Sequence, residues 1–203
     1  MYLTKAIRTM AKETTKMRIL EEGARIIHEN GYNHTGIQEI LDAAGVPKGS
    51  FYFYFKSKED FGLQLVDFYL NFAVTQLESQ LNNNEIDPIT RLRGFFLMAQ
   101  DRSEQRGFKG GCPIGNLTQE MADQKDTFRV KLDHAFSRMS SAIAEYLKQA
   151  QEMEQLNPSI DVAQMAEFIL NSWEGALLRV KAQCSIEPLV AFDTMIFERL
   201  LKP

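Results

Sequence analysis

The chain of 203 residues is long enough for one ordinary domain and a small second one, and 44% hydrophobic with 25% charged residues is typical of a folded globular protein. The net charge of −4 argues against a protein that coats nucleic acid without specificity. Two cysteines are too few for a disulfide scaffold or a cysteine-based zinc site. With no apolar run of membrane-spanning length and no signal-peptide pattern, we expect a cytoplasmic protein that does not associate with a membrane. We also expect no metal site and no cofactor.

Charge is distributed unevenly along the chain. Residues 1–60 carry nine Lys or Arg against eight Asp or Glu, which leaves 14 basic and 19 acidic residues for the remainder. This slight excess of basic residues indicates that the functional surface lies in the N-terminal part of the chain.

Hydrophobic spacing predicts helices throughout and no strand, which gives an all-α fold: three short helices followed by a larger helical bundle. Thr14 or Thr15, Thr35 and Ser57 are candidate N-caps. Gly31 and Gly45 suit helix C-termini. The predicted helices span residues 14–30, 37–44, 48–55, 57–81, 87–105, 113–122, 125–155, 162–183 and 188–201.

The second and third predicted helices, joined by a short turn that contains Gly45, form a helix-turn-helix. The third opens with Lys48, Gly49 and Ser50, whose amides and short side chains can meet phosphate or a base edge. Phe51 and Phe55, spaced i, i+4, are expected in the core. The hydroxyls of Tyr52 and Tyr54 and the ammonium of Lys58 suit phosphate.

The run from Ala44 to Glu59, AGVPKGSFYFYFKSKE, resembles the DNA-binding domain of the tetracycline-repressor (TetR-like) family, and the likeness in motif covers residues 14–65. It implies a homodimer on a palindromic operator, with residues 1–56 binding DNA and residues 57–203 forming a ligand-binding and dimerisation domain. The resemblance makes Thr35, Lys48, Tyr52, Tyr54 and Lys58 phosphate-positioning residues and places Gln38, Gly49, Ser50 and Phe53 nearest the bases. Gln38 stands where the family often has Arg, and an amide favours adenine over guanine.

The second domain carries weaker signals. Aromatic and Met side chains there suit an apolar ligand, although the same spacing is typical of plain core. Glu120 and His134 are candidate polar anchors for such a ligand. The candidate pocket residues are Phe95, Met98, Cys112, Phe136 and Trp173.

Cys112, before Pro113 at a predicted helix start, is expected to have a lowered thiol pKa from the helix amides and dipole. Members of one branch of the resembled family sense electrophiles or oxidants through a cysteine. The leading interpretation is therefore a repressor released by a small-molecule inducer, and the alternative is a thiol-based electrophile or redox sensor acting through Cys112. A small buried hydrophobe at a tight turn is the plainer interpretation of this cysteine.

No catalytic signature appears, so an enzyme is not expected. An activator, or a regulator of this fold with no ligand, stays open. Apolar stripes in residues 162–201, among them Met165, Ile169 and Trp173, predict pairing with a second copy. The helix that starts at Ser57, with Leu65, Phe68 and Phe72 packed into the bundle, is expected to act as a lever between the domains.

Overall fold

The computed structural model describes residues 2–79 and 85–201, with side chains from residue 14 onward. Every regular element in these ranges is helical, which confirms the predicted all-α class. The α-helices are α1 (Tyr2–Asn30), α2 (Ile37–Ala43), α3 (Phe51–Tyr54), α4 (Lys58–Glu78), α5 (Pro88–Gln105), α6 (Pro113–Met121), α7 (Asp126–Glu152), α8 (Val162–Gln183) and α9 (Glu187–Met195). A 3₁₀ turn, Lys48–Ser50, precedes α3, and a π-helical turn, Ile196–Leu200, follows α9.

Several helix ends differ from those predicted. The first helix begins at Tyr2, so Thr14 and Thr15 lie inside it and do not cap it. Ser57 does cap α4, because its Oγ accepts the Asp60 amide at 3.0 Å. The predicted end of that helix at residue 81 lies outside the described residues, and the last helical residue is Glu78.

The chain divides into two compact units, Met1–Tyr69 with Asn116–Leu132, and Leu70–Gly115 with Asp133–Pro203. This division differs from the expected boundary between residues 56 and 57. The first turns of α4, the end of α6 and the start of α7 pack with the N-terminal helices, a long-range association that sequence order does not reveal.

The first unit is built on fully buried side chains from α1, α2, α3 and α4. Ile19, Ile40, Phe51 and Phe61 are all 0% exposed. Gly23 allows α1 and α4 to approach closely, since a Cβ there would lie 2.4 Å from the Phe61 ring. The Tyr69 hydroxyl also donates to the Ala24 carbonyl at 2.5 Å, so a hydrogen bond joins α4 to α1 in addition to this packing.

The second unit has its own core, in which α5, α8 and α9 meet. The Phe96 ring lies 4.9 Å from that of Trp173 and 5.0 Å from that of Phe192. Arg93 on α5 donates to Asp193 at 2.6 Å and to Glu198 at 2.9 Å, which ties the C-terminal segment to the bundle.

Candidate nucleic-acid interface

The turn between α2 and the following helical segment is sharply defined. Gly45 has φ +60, a left-handed conformation that glycine adopts without strain. The Val46 amide donates to the Leu41 carbonyl at 3.0 Å, and the buried Val46 side chain anchors the turn. The chain therefore leaves α2 in a fixed direction and presents residues 48–54, a 3₁₀ turn followed by α3, as the second helical element that a helix-turn-helix requires.

The aromatic residues of this segment divide between a buried and an exposed face. Phe51 and Phe55 are 0% and 1% exposed, and both rings pack against Phe61. Tyr52 and Phe53 are 69% and 65% exposed. The core placement predicted for Phe51 and Phe55 is confirmed, and the buried rings hold the segment so that its other face is open to solvent.

The exposed face is small and polar at its start. Lys48 and Gly49 are exposed, while Ser50 and Tyr54 are half-buried. A Cβ added at Gly49 would meet nothing within 4 Å, so the backbone at this point has free space outside it. This start is a 3₁₀ turn and not the continuous helix predicted over residues 48–55. Gln38 is also exposed, and its amide nitrogen donates to Asp42 at 2.6 Å.

Two residues expected at phosphates make hydrogen bonds within the protein. Thr35 is 1% exposed and its hydroxyl donates to the Gly31 carbonyl at 2.7 Å. Thr35 does not cap α2 either, since Gly36 is the N-cap. The Lys58 ammonium donates to the Tyr32 carbonyl at 2.7 Å, and burial lowers the pKa of Lys58. Both side chains thus have a hydrogen-bond partner within the protein, and the half-buried Lys58 ammonium keeps two further N–H donors.

Glu120 was expected to anchor a ligand, and the structure gives it a different contact. Its Oε1 accepts the Tyr32 amide at 3.1 Å and its Oε2 accepts the Asn33 amide at 3.0 Å. These amides belong to the loop between α1 and α2. Sequence reasoning missed the pairing because nothing local links residues so far apart in the chain.

The candidate pocket residues of the second unit are only partly brought into its core. Trp173 is buried in the cluster with Phe96, whereas Phe95 and Phe136 are half-buried. Met98 is 41% exposed, which corrects its assignment to an internal pocket. His134 is exposed as well, so it is no internal anchor.

Cys112 lies at the start of α6, as predicted, and its sulfur accepts the Gly115 amide at 3.5 Å. Its acidity was predicted wrongly. Burial, together with the neighbouring Glu174 carboxylate, raises the pKa of the Cys112 thiol well above its usual value and outweighs the helix amides. Burial likewise raises the pKa of Glu174. A neutral thiol and a poorly solvated carboxyl thus face each other.

Comparisons with known proteins point to one family. Residues 19–65 match the model for "Bacterial regulatory proteins, tetR family", and residues 88–196 match "Tetracyclin repressor-like, C-terminal domain". The chain is 37% identical to the transcriptional regulator AcuR of Cereibacter sphaeroides, over 86% of this chain and 80% of AcuR. It is 32% identical to the HTH-type transcriptional repressor DhaR of a Mycobacterium species, over 95% of each.

Among solved structures, the reduced form of Escherichia coli NemR is similar over 94% of this chain and 98% of that one. The TM-score is 0.86 and the sequence identity is 27%. The likeness therefore extends across both halves of the chain and is not confined to the helix-turn-helix.

Proposed function

Because the chain belongs to the TetR family of DNA-binding transcriptional regulators, we propose that it is a homodimeric repressor that leaves a palindromic operator when a small molecule binds its second unit. The single observation that supports this DNA-binding surface is that the segment at residues 48–54 has one buried and one exposed face. Buried Phe51 and Phe55 fix it, while Lys48, Gly49 and Tyr52 remain exposed. Hydrogen-bond donors and an exposed aromatic side chain on a short helical segment suit a DNA groove.

The proposed contacts are those that the family resemblance implies, and these residues are exposed or half-buried. Lys48 and the hydroxyls of Tyr52 and Tyr54 bind phosphates. Gln38, Gly49, Ser50 and Phe53 lie nearest the base edges. Thr35 and Lys58 are left out of the contact set because their side chains are bound within the protein.

A charge placed at Gly49 tests this surface. Gly49→Glu puts a carboxylate where a Cβ has free space, so the fold tolerates it while the phosphates repel it. We expect operator affinity to fall at least tenfold. Gly94→Glu is the matched control, since Gly94 on α5 also has nothing within 4 Å of an added Cβ. Equal affinities for wild type and Gly49→Glu would exclude this face as the DNA contact.

An exposed stripe on α8 supports the homodimer. Phe168 and Leu178 are 51% and 53% exposed, and the exposed Gly175 between them has open space beyond its Cα. Their spacing of seven and three residues keeps them on one helix face. Ile169 and Trp173, which the sequence suggested for pairing, are buried in the chain's own core instead. The proposed pairing surface is therefore the neighbouring face of the same helix.

Release by an inducer needs an element shared by both units. Helix α4 begins at Lys58 in the first unit and ends at Glu78 in the second, so a tilt of this helix carries across the boundary. Phe72 is 58% exposed, which removes it from the apolar body expected to pack into the bundle, while Leu65 is 0% exposed. If inducer binding lowers the affinity of the protein for the operator, then operator binding lowers its affinity for the inducer by the same factor.

The thiol-sensor alternative is disfavoured by the chemistry of Cys112. The thiolate is the form that attacks electrophiles, and burial beside Glu174 raises the pKa of this thiol. We therefore propose that a reversibly bound molecule, and not covalent modification of Cys112, releases the repressor. Induction by an electrophile that fails in Cys112→Ser but persists in Cys184→Ser would overturn this choice.

A further inference from the structure

The loop between α1 and α2 is held by two charged side chains that converge on one residue, Tyr32. The Glu120 carboxylate accepts the amides of Tyr32 and Asn33, at 3.1 and 3.0 Å. On the other side of the Tyr32 peptide, the Lys58 ammonium donates to the carbonyl at 2.7 Å. The Tyr32 hydroxyl in turn donates to the Lys58 carbonyl at 2.9 Å. Helices α4 and α6 are thereby both attached to this loop.

The contact with Glu120 fixes orientation as well as distance. Each carboxylate oxygen binds one of two successive amides, so the loop can neither slide nor rotate on the end of α6 without losing a charge-assisted hydrogen bond. Gly31 makes the approach possible: it has φ +86, and a Cβ there would already lie 3.0 Å from Oε1 of Glu120. The two amides precede α2 and belong to no helix, which leaves this carboxylate as their partner.

We propose that Glu120 is a positioning residue for operator binding, which fixes the helix-turn-helix against the C-terminal end of α6. The loop leads directly into α2, which carries Gln38, and α2 sets the turn that presents Lys48. This inference rests on the proposed DNA-binding function. Besides α4, it gives a second way for a change in the second unit to reach the helix-turn-helix. Helix α6 starts in the second unit at Pro113, so a displacement of α6 reaches the loop through Glu120.

The sign of the charge effect separates this role from simple electrostatics. A carboxylate on a DNA-binding unit repels phosphate, so its removal alone should tighten binding to any duplex. If Glu120 positions the loop, Glu120→Gln should instead weaken binding to the operator, because the amide group accepts only one of the two N–H bonds. Asp123→Asn is the matched control: it removes the same charge three residues later, at an exposed position.

The test uses the full-length chain and two labelled duplexes, the operator selected from random DNA by the wild type and a scrambled duplex of equal length. We expect operator affinity to fall about tenfold in Glu120→Gln, the scale of one charge-assisted hydrogen bond, with affinity for the scrambled duplex unchanged or higher. In Asp123→Asn it should not fall. Amide exchange at Tyr32 and Asn33 should accelerate in Glu120→Gln alone.

A stability control completes the design. Ile19→Val removes one methylene from a fully buried side chain of the same unit and loses stability without touching the loop. Equal loss of operator affinity in Ile19→Val and Glu120→Gln would overturn the positioning role, as would a Glu120→Gln protein that binds operator like the wild type. A wild type that selects no operator would instead refute the proposed function itself.

Discussion

Lys48 offers the clearest quantitative test of the DNA-binding surface. It is exposed at the start of the turn Lys48–Ser50, next to the open backbone of Gly49. We expect Lys48→Ala to weaken binding to every duplex, because a phosphate contact positions the protein without reading sequence. A homodimer loses two such contacts from this one substitution.

The magnitude follows from counterion release. Each phosphate contact contributes about 0.9 to the slope of log affinity against log salt, so the slope becomes shallower by about 1.8 per dimer. As salt rises from about 50 to about 200 mM, the ratio of wild-type to Lys48→Ala affinity therefore falls about twelvefold. Fluorescence anisotropy on one operator duplex at four salt concentrations measures both slopes.

Lys109→Ala is the matched control, because it removes the same charge from an exposed position in the second unit. Its slope should equal that of the wild type. Identical slopes for all three proteins would refute the assignment of Lys48 to a phosphate and, with it, the orientation of residues 48–54 toward DNA.

Further predictions concern assembly, stability and the thiol. Leu178→Glu should convert a dimer of about 46 kDa, twice the 23.2 kDa chain, into a monomer in light scattering, and an unchanged mass would locate the interface elsewhere. Phe51→Ala should cost about 3–5 kcal/mol of unfolding free energy in urea titrations, while Tyr52→Ala costs under about 0.5; similar losses would contradict the two-sided segment. In a Cys184→Ser background, iodoacetamide should modify Cys112 more slowly than N-acetylcysteine at pH 8, since its thiol pKa is raised. Glu174→Gln should speed that reaction by removing the neighbouring carboxylate, and a slower reaction would show that Glu174 does not raise the thiol pKa.

Much of the fold was predictable because burial on one helix face leaves a periodic trace in the sequence. The i, i+4 spacing of Phe51 and Phe55 correctly placed them in the core, and the short polar start of the next helix indicated an open face. Periodicity locates the apolar face of a helix but not its first residue, so the start of α1 at Tyr2 was missed.

The contacts between distant segments were not predictable from spacing. Glu120 and Tyr32 are separated by 88 positions, and neither has a local feature that names the other. The same reason explains Cys112: its helix-start position predicted an acidic thiol, but burial beside Glu174, which only folding brings close, reverses the shift. Thr35 carries the residue type of an N-cap, yet its hydroxyl is satisfied by the Gly31 carbonyl.

The most direct test of operator recognition is to let the full-length wild type select the sequences that it binds from random duplex DNA. This experiment needs no prior choice of target. We expect a two-fold symmetric consensus whose half-sites are centred about one helical turn, about 34 Å, apart. Repeating the selection with Gln38→Ala should relax the preference at one base pair in each half-site and leave the rest intact. Recovery of no enriched sequence, or of a consensus without two-fold symmetry, would contradict a dimeric repressor that reads DNA through this helix-turn-helix.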